Sequence, residues 1–159
     1  MIATADLSAS QEEYVSAIWA IARDKKAARA IDIGRRLGVK GPSVTSALKS
    51  LAEKGLVNYA PYDLVTLTAL GERIAEDIER RRKILRTFLE KVLAIQSSLV
   101  DENARQIEHA MSPAVLNRLT KFLEYYETCP GEKVRWMDEL GYFCEKGRPE
   151  CVTCVRTRR

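Results

Sequence analysis

The fold is decided by the stretch Ile31-Asp-Ile-Gly-Arg-Arg-Leu-Gly-Val-Lys-Gly-Pro-Ser-Val-Thr-Ser-Ala-Leu-Lys-Ser-Leu51. Its first part predicts a helix over residues 30–37, which Gly38 stops because glycine adopts the left-handed conformation at low cost. Its second part predicts a helix that opens at Pro42 and ends at Gly55, with an apolar stripe of Val44, Leu48 and Leu51. Two helices joined by so short a turn are typical of a helix-turn-helix.

The flanking segments extend this motif into a predicted winged helix. A helix precedes it and begins at Ser8 or Ser10, where Ser10-Gln-Glu-Glu13 has the pattern of a capping box. Residues 56–68 predict a β-hairpin, because β-branched and aromatic residues lie on both sides of Pro61-Tyr-Asp63. A long amphipathic helix over 68–94 and two shorter helices over 99–110 and 113–127 follow.

This pattern predicts a mainly α protein in three parts. The first is a winged-helix DNA-binding domain at residues 1–70. The second, at 71–128, is a linking helix with a helical dimerisation domain. The third, at 129–159, is an irregular tail that contains all four cysteines.

The start of the second helix of the motif is the predicted nucleic-acid contact. Ser43, Thr45 and Ser46 are short and carry hydroxyls, so they can approach base edges, while the helix N-terminus favours phosphate. Basic residues beside them can contact phosphates, and two tyrosines lie on the predicted wing. The predicted DNA-binding residues are Arg29, Arg35, Arg36, Lys40, Pro42, Ser43, Thr45, Ser46, Lys49, Tyr59 and Tyr62.

Composition leaves a second function open. The net charge is +4 and the isoelectric point is near 8.9, which permits a polyanionic partner without requiring one. The alternative is a winged-helix interaction module that carries a structural zinc or cluster and docks a protein. The two differ in salt dependence, because binding to DNA phosphates weakens steeply as salt rises.

Other classes are excluded by what the sequence lacks. No stretch approaches the roughly 18 apolar residues of a membrane span, and the start lacks the basic flank and apolar run of a secretion signal. We therefore expect a cytoplasmic protein without a membrane partner. No Ser-His-Asp, Cys-His, phosphate-loop or dinucleotide pattern appears, so we expect neither an enzyme nor a small-molecule substrate.

Several motifs resemble those of the diphtheria-toxin-repressor family of metal-dependent regulators, which includes manganese- and iron-sensing repressors. They are Glu12-Glu-Tyr-Val-Ser-Ala-Ile-Trp19, Asp32-Ile-Gly-Arg-Arg-Leu-Gly-Val39, Pro42-Ser-Val-Thr45, Gly55-Leu-Val-Asn-Tyr59, Val65-Thr-Leu-Thr-Ala-Leu-Gly71 and Glu108-His-Ala-Met-Ser112. The resemblance covers roughly residues 10–127. It implies a homodimer whose two recognition helices occupy the half-sites of palindromic double-stranded DNA.

The resemblance also implies a divalent-metal site between the first helix, the long helix and the Glu108-His109 helix. Matched position by position, Glu13, Glu108 and His109 retain side chains that can ligate a metal. Ser16 stands where a manganese-sensing member offers a carboxylate.

Three arginines interrupt that implied site. Arg82 and Arg105 stand where family members place ligands, and Arg86 stands where some members have a further carboxylate. An arginine keeps its proton and cannot donate a lone pair to a metal. Helical periodicity raises the same concern without the resemblance, because Arg82 lies between Ile78 and Leu85 on the inward-facing stripe.

We therefore hypothesise that guanidinium groups replace the metal's charge, with Arg82 and Arg105 pairing with Glu13 and Glu108. Manganese or iron binding at the family site is then disfavoured. Two alternatives stay open. Both arginines extend into solvent and pair with nothing specific, or Glu13, Glu108 and His109 still bind a metal.

The four cysteines form a separate candidate metal site. Cys129, Cys144, Cys151 and Cys154 have the spacing C-x14-C-x6-C-x2-C. Four thiolates in a reducing compartment suit an iron–sulfur cluster or tetrahedral zinc, and Cys129-Pro130 favours the cluster as first choice. Disulfides or free thiols remain a further alternative. The sequence thus predicts a DNA-binding repressor of iron, metal or redox homeostasis, gated by this four-cysteine centre.

Overall fold

A computed structural model of the protein describes residues 7–25, 27–60, 64–128, 135–137 and 142–144. The chain forms two compact units, Met1–Arg80 and Arg81–Arg159, and each is described by itself below. No helix in the described part of the chain is both long and apolar enough to cross a membrane.

The first unit is a winged helix, as the sequence predicted. Its elements are α1 (Ala9–Lys25), α2 (Ala30–Leu37), α3 (Gly41–Glu53), β1 (Val57–Asn58), β2 (Thr66–Leu67) and the start of α4 (Ala69–Thr87). The two strands pair antiparallel, with Val57 opposite Leu67 and Asn58 opposite Thr66. A further bridge joins Ala28 to Val65 and ties the segment between α1 and α2 to the base of the wing.

The capping box of α1 differs from the predicted one. The backbone N–H of Ser8 donates to Gln11 Oε1 at 3.1 Å, and the backbone N–H of Gln11 donates to Ser8 Oγ at 3.2 Å. Ser8 and Gln11 therefore form the reciprocal pair, and the prediction that placed it at Ser10 and Glu13 is wrong. The same four-residue spacing fits both positions, and the chain uses the earlier one, which leaves Glu13 one turn inside the helix.

An apolar core holds the three helices and the wing together. The side chains of Ile18, Ile33, Leu48, Leu51 and Leu56 are all fully buried in it. Ile18, Leu48 and Leu51 come from the apolar stripes that periodicity predicted, so this part of the core follows from the sequence.

Two glycines fix the chain path around this core. Gly38 has φ +67°, a left-handed conformation that ends α2 and turns the chain toward α3. Gly71 lies against the peptide of Leu56, and a Cβ built on Gly71 would be 2.0 Å from the Leu56 carbonyl oxygen. The first turn of α4 can therefore pack against the start of β1 only with glycine at position 71.

The second unit is helical. After the end of α4 come a π-helical turn (Phe88–Val92), α5 (Ser97–Ala110) and α6 (Pro113–Thr128). Its smaller core consists of Leu85, Leu89, Val100 and Ala104, with partly buried apolar residues around them. The predicted long helix thus reaches its expected end near Ala94, which has φ +53°, but finishes in a π-helical turn.

The cysteine-containing tail, predicted to be irregular, includes a short antiparallel hairpin. Strand β3 (Arg135–Met137) pairs with β4 (Tyr142–Cys144), and Trp136 lies opposite Phe143. Aromatic residues favour strands, which accounts for the pairing. Cys144 is therefore the last residue of β4. The other three cysteines, Cys129, Cys151 and Cys154, lie outside the described residues. Tyr62, predicted on the wing, lies outside them as well.

Candidate nucleic-acid interface and ion-pair site

The N-terminal end of α3 presents the predicted contact residues to solvent. Lys40 is the residue before the helix and makes no side-chain capping bond, and Pro42 occupies the first turn. Ser43 and Ser46 are exposed and Thr45 is half-buried, while Val44 and Leu48 are turned into the core. The hydroxyls therefore lie on the outer face of a helix whose inner face is fixed by packing.

Cations surround this tip. Arg29, Arg35, Arg36, Lys40 and Lys49 are all exposed. Arg35 lies 3.9 Å from Asp32, yet 77% of its side chain stays exposed, so this surface pair leaves the guanidinium accessible. Tyr59 packs against the core cluster and is only half-exposed. Less of its side chain is therefore accessible to DNA than the sequence suggested.

Gln11 is a residue whose second role the sequence did not reveal. Besides capping α1, its Nε2 donates to Ser50 Oγ at 3.1 Å, and Lys54 Nζ donates to its Oε1 at 3.2 Å. One amide thus joins the start of α1 to the C-terminal half of α3. The S-x-x-Q spacing could have indicated the cap, but nothing local indicates a partner 39 positions away.

In the first unit, two residues of the implied metal site take different roles. Glu13 is partly buried on α1. Ser16 is 5% exposed, and its hydroxyl donates to Glu79 Oε1 at 3.0 Å. Glu79 was not predicted as a site residue. Its position on α4 next to the inward-facing Ile78 could have indicated that Glu79 has a hydrogen-bond partner. A partly buried carboxylate needs a hydrogen-bond donor to offset its lost hydration.

In the second unit, Arg82 makes a two-pronged ion pair with Glu108. Arg82 Nη2 donates to Glu108 Oε1 at 2.6 Å, and Arg82 Nε donates to Glu108 Oε2 at 3.2 Å. The Glu108 side chain is 0% exposed and that of Arg82 is 16% exposed. This pair joins α4 to α5, and the part of the hypothesis that paired Arg82 with Glu108 is confirmed.

The Glu108 carboxyl feels two opposing influences. Burial raises its pKa above the ordinary value of 4.5, and this effect is the larger. The hydrogen bond and positive charge of Arg82 lower the pKa, and smaller contributions from His109 and Arg81 act in the same direction. The net pKa is raised, so Arg82 offsets the cost of a buried carboxylate only in part.

The Arg82 guanidinium disfavours a divalent cation at the Glu108 carboxylate in this arrangement. Glu108 and His109 have ligand-capable atoms within 4.8 Å of each other, and His109 Nε2 lies 3.7 Å from Glu108 Oε1. However, both carboxylate oxygens of Glu108 already accept hydrogen bonds from Arg82. A metal ligated by Glu108 would lie next to that guanidinium, and the two positive charges would repel each other.

The other two arginines differ from each other. Arg86 Nη1 lies 3.0 Å from Asp101 Oδ1, which makes a second link between α4 and α5, at the surface. Arg105 donates to Glu102 at 2.6 Å, one turn earlier on the exposed face of α5. The hypothesis that Arg105 pairs with the buried carboxylates is therefore wrong. Residues three apart on a helix are neighbours, so Arg105 pairs with Glu102 on its own helix instead.

Helix α6 carries an exposed apolar face. Val115, Phe122 and Tyr125 are 53%, 42% and 63% exposed. Phe122 also contacts Phe88 edge-on, with ring centroids 6.3 Å apart, which anchors this face to the π-helical turn. Large apolar side chains in such a row are typical of a protein interface.

Comparison with known families yields two matches along the chain. Residues 6–65 match the iron dependent repressor, N-terminal DNA binding domain. Residues 68–137 match the iron dependent repressor, metal binding and dimerisation domain. The first range contains α1 to the wing, and the second contains α4, the ion pairs and α6.

Individual proteins agree with these matches. The chain is 32% identical over 122 residues to an uncharacterized HTH-type transcriptional regulator of Methanocaldococcus jannaschii, covering 76% of this chain and 98% of that protein. It is 34% identical over 113 residues to the transcriptional regulator MntR of Escherichia coli, covering 71% of this chain and 72% of MntR.

A solved structure supports the same architecture. The manganese regulator SloR superposes with a TM-score of 0.65 at 26% identity, over 77% of this chain and 57% of SloR. The chain thus spans less than two thirds of that structure.

Proposed function

Because the chain belongs to the iron-dependent repressor family, we propose that it is a homodimeric DNA-binding transcriptional repressor in which arginine ion pairs occupy the place of the family's divalent metal. Membership confirms the resemblance that the sequence motifs indicated. The relatives are transcriptional regulators, in agreement with the expectation that the chain is not an enzyme. A cytoplasmic location stays a prediction from the sequence.

DNA binding is supported by the outer face of α3. The exposed Ser43 and Ser46 lie at the helix N-terminus, where the helix dipole is positive. In the proposed complex this end enters the major groove, and the exposed cations, Lys40 and Lys49 among them, contact phosphates. The competing interaction-module function predicts weak salt dependence and no preferred DNA sequence.

Dimerisation is supported by the apolar face of α6. In the proposed homodimer, Val115 and Tyr125 are buried against a second copy of the chain. A Tyr125→Asp substitution is expected to shift the protein toward monomer in sedimentation velocity and to weaken binding to a palindromic site. A variant that stays dimeric and retains full affinity would place the interface elsewhere.

The observation that carries the metal-free part of the proposal is the buried pair of Arg82 and Glu108. In the family the metal is the charge that binds the acidic side chains, and here a guanidinium makes two hydrogen bonds to the same carboxylate. Arg86 and Asp101 add a second link between the same helices. The arrangement of α4 and α5 then does not depend on the supply of manganese or iron.

Sensing is proposed to reside in the four cysteines. Cys129, Cys144, Cys151 and Cys154 supply four soft ligands, which suit an iron–sulfur cluster, the first choice, or tetrahedral zinc. The argument rests on residue type and spacing alone. A centre of either kind would make DNA binding respond to iron, zinc or oxidant through the tail, while the ion pairs keep the helical unit ordered.

The decisive test of the metal-free site is metal titration of a variant in which all four cysteines are serine. We expect no tight stoichiometric binding of Mn(II) or Fe(II) by calorimetry, and DNA binding that persists in chelator. Tight binding that is lost in Glu108→Gln would show a surviving site at Glu13, Glu108 and His109 and would overturn this part of the proposal.

A gain-of-function variant sharpens the same test. Arg82→His, made in the cysteine-free background, removes the guanidinium and supplies a ligand on α4 beside Glu108 and His109. We expect it to gain Mn(II) binding. Arg80→His is the matched control, because Arg80 lies on the same helix with its side chain 70% exposed. If both variants or neither bind Mn(II), the ion pair is not what excludes the metal.

The nature of the cysteine centre is decided by anaerobic purification with iron, sulfide and zinc analysis. A coloured protein that contains iron and acid-labile sulfide supports the cluster, and a colourless one with one zinc per chain supports zinc. A protein that holds neither overturns the proposed gating.

A further inference from the structure

A shallow groove lies between α2 and the start of α3, next to the proposed DNA-contacting tip. It is lined by Ile31, Gly34, Arg35, Val39, Gly41 and Thr45. Two of these are aliphatic and exposed. Ile31 is 67% exposed and Val39 is 38% exposed.

The backbone around the turn determines the shape of this groove. Because Gly38 is left-handed, the chain reverses after α2, and the N–H of Val39 donates back to the Gly34 carbonyl at 3.0 Å. A Cβ on Gly34 would lie 3.1 Å from the Val39 carbonyl oxygen and 3.3 Å from a methyl of Val44. The backbones of α2 and the turn therefore pack closely at Gly34, and Ile31 and Val39 are among the residues that line the groove.

The groove is continuous with the surface that the proposed function assigns to DNA. Thr45 belongs to both, and the exposed Arg35 and Lys40 lie beside them. An aliphatic side chain gains nothing from a phosphate, so on a DNA-binding face Ile31 and Val39 can contribute only through apolar contacts. In the major groove of DNA the apolar group on the base edges is the 5-methyl group of thymine.

We propose that Ile31 and Val39 contact thymine methyl groups and so determine a preference for thymine at positions in each half-site. This inference rests on the proposed function, because it requires the tip of α3 to enter the major groove. It differs from the hydroxyl and cation contacts above in that it assigns base selectivity to aliphatic residues outside the exposed face of α3. Burial of one methyl-sized group predicts roughly a fourfold gain in affinity for each contact.

Replacement of thymine by deoxyuridine is the test, because it removes the methyl group and leaves the base-pairing edge unchanged. A preferred operator is first selected from a randomised duplex pool with the full-length dimeric protein. Each thymine of that operator is then replaced in turn, and affinities are measured for the wild type, Ile31→Ala, Val39→Ala and the double variant. Leu99→Ala is the control, since Leu99 is 54% exposed on α5 in the other unit.

The expected result is that deoxyuridine at one or two positions per half-site weakens wild-type binding roughly fourfold. The same replacement should have no effect on the double alanine variant and its full effect on Leu99→Ala. All of these side chains are exposed, so the variants should fold, and unchanged thermal unfolding verifies this.

Three results would overturn the inference. In the first, the wild type binds the operator but is insensitive to deoxyuridine at every position. In the second, the sensitivity to deoxyuridine persists in the double variant, which would assign the methyl contact to another residue. In the third, Leu99→Ala loses the sensitivity to deoxyuridine as fully as the double variant does. Failure of the protein to select any DNA sequence is a different result, which overturns the proposed function itself.

Discussion

The two units of this chain are stabilised by different means. The first has a continuous apolar core in which Ile18, Ile33 and Leu48 are fully buried, with hydrogen bonds such as those of Gln11 at its edge. The described part of the second has a smaller core cluster around Leu85 and Val100, and it buries Glu108 against Arg82 between α4 and α5. Core packing distributes stabilisation over many apolar neighbours, whereas a buried ion pair depends on one charged partner, and this difference can be tested.

The largest expected effect is in the second unit. Arg82→Met removes the charge that compensates the buried Glu108, and we expect a loss of about 4 kcal/mol in the free energy of unfolding. Urea unfolding measures the loss, and hydrogen exchange should locate it in α5 rather than in α3. Arg82→Met combined with Glu108→Leu should recover most of the stability. A single variant as stable as the wild type would mean that the pair contributes nothing.

The same variant should show an altered dependence on pH. Without Arg82 the pKa of Glu108 rises further, because burial already raises it and the main opposing influence is gone. A carboxyl with a raised pKa in the folded state loses stability as pH increases from its ordinary value of 4.5 through that raised pKa. The difference between Arg82→Met and the wild type should therefore shrink at low pH. A difference that is constant with pH would contradict this assignment.

In the first unit the largest effect should come from an apolar truncation. Leu48→Ala removes a fully buried side chain from α3 and should cost about 3 kcal/mol in the free energy of unfolding. Because no charge is involved, this loss should not vary with pH in the window where Arg82→Met does. The contrast between the two pH profiles, measured by urea unfolding, separates the two modes of stabilisation.

A smaller effect is expected from the link between α1 and α3. Ser50→Ala removes the acceptor for Gln11 Nε2 and leaves the cap of α1 intact, so we expect a stability loss of about 1 kcal/mol. If the link positions α3, operator affinity measured well below the unfolding temperature should fall more than affinity for random DNA. Gln11→Glu should behave similarly, since a carboxylate accepts from Ser8 and Lys54 but cannot donate. An unchanged ratio of the two affinities would limit Gln11 to a structural role.

The smallest effect should come from Arg105. Its pair with Glu102 is exposed on both sides, at 46% and 58%, so Arg105→Ala should change the free energy of unfolding by less than about 0.5 kcal/mol. Measured beside Arg82→Met, it tests whether burial rather than arginine as such stabilises the second unit. A large loss in Arg105→Ala would show that the surface pair matters more than its exposure indicates.

The sequence was most informative where periodicity governs structure. The bounds of α2 agree with the predicted helix over 30–37, and α3 and the wing follow the apolar pattern and the turn residues. Helix caps and side-chain partners were harder to predict. The alternative Ser8 and Ser10 caps have the same local pattern, and only the fold decides between them.

The candidate site was predictable in its residue types but not in its pairings. Arg82 could be identified because a cation interrupted an apolar stripe, and Glu108 was one of the two partners that the family resemblance implied. Arg105 was assigned to the same site, although Glu102, three residues away, was an equally good partner by spacing. The link from Gln11 to Ser50 joins positions far apart in the chain, and no local pattern carries that information.

The contact between Gly71 and Leu56 has a consequence for how this sequence tolerates mutation. A Cβ at position 71 would lie 2.0 Å from a carbonyl oxygen, so alanine is excluded as firmly as tryptophan. In a saturation library scored for repression, position 71 should therefore reject every replacement regardless of chemical class. The neighbouring position, exposed Glu72, should accept most replacements. A position that rejects all replacements beside one that accepts most would identify the contact between the wing and α4 from genetic data alone.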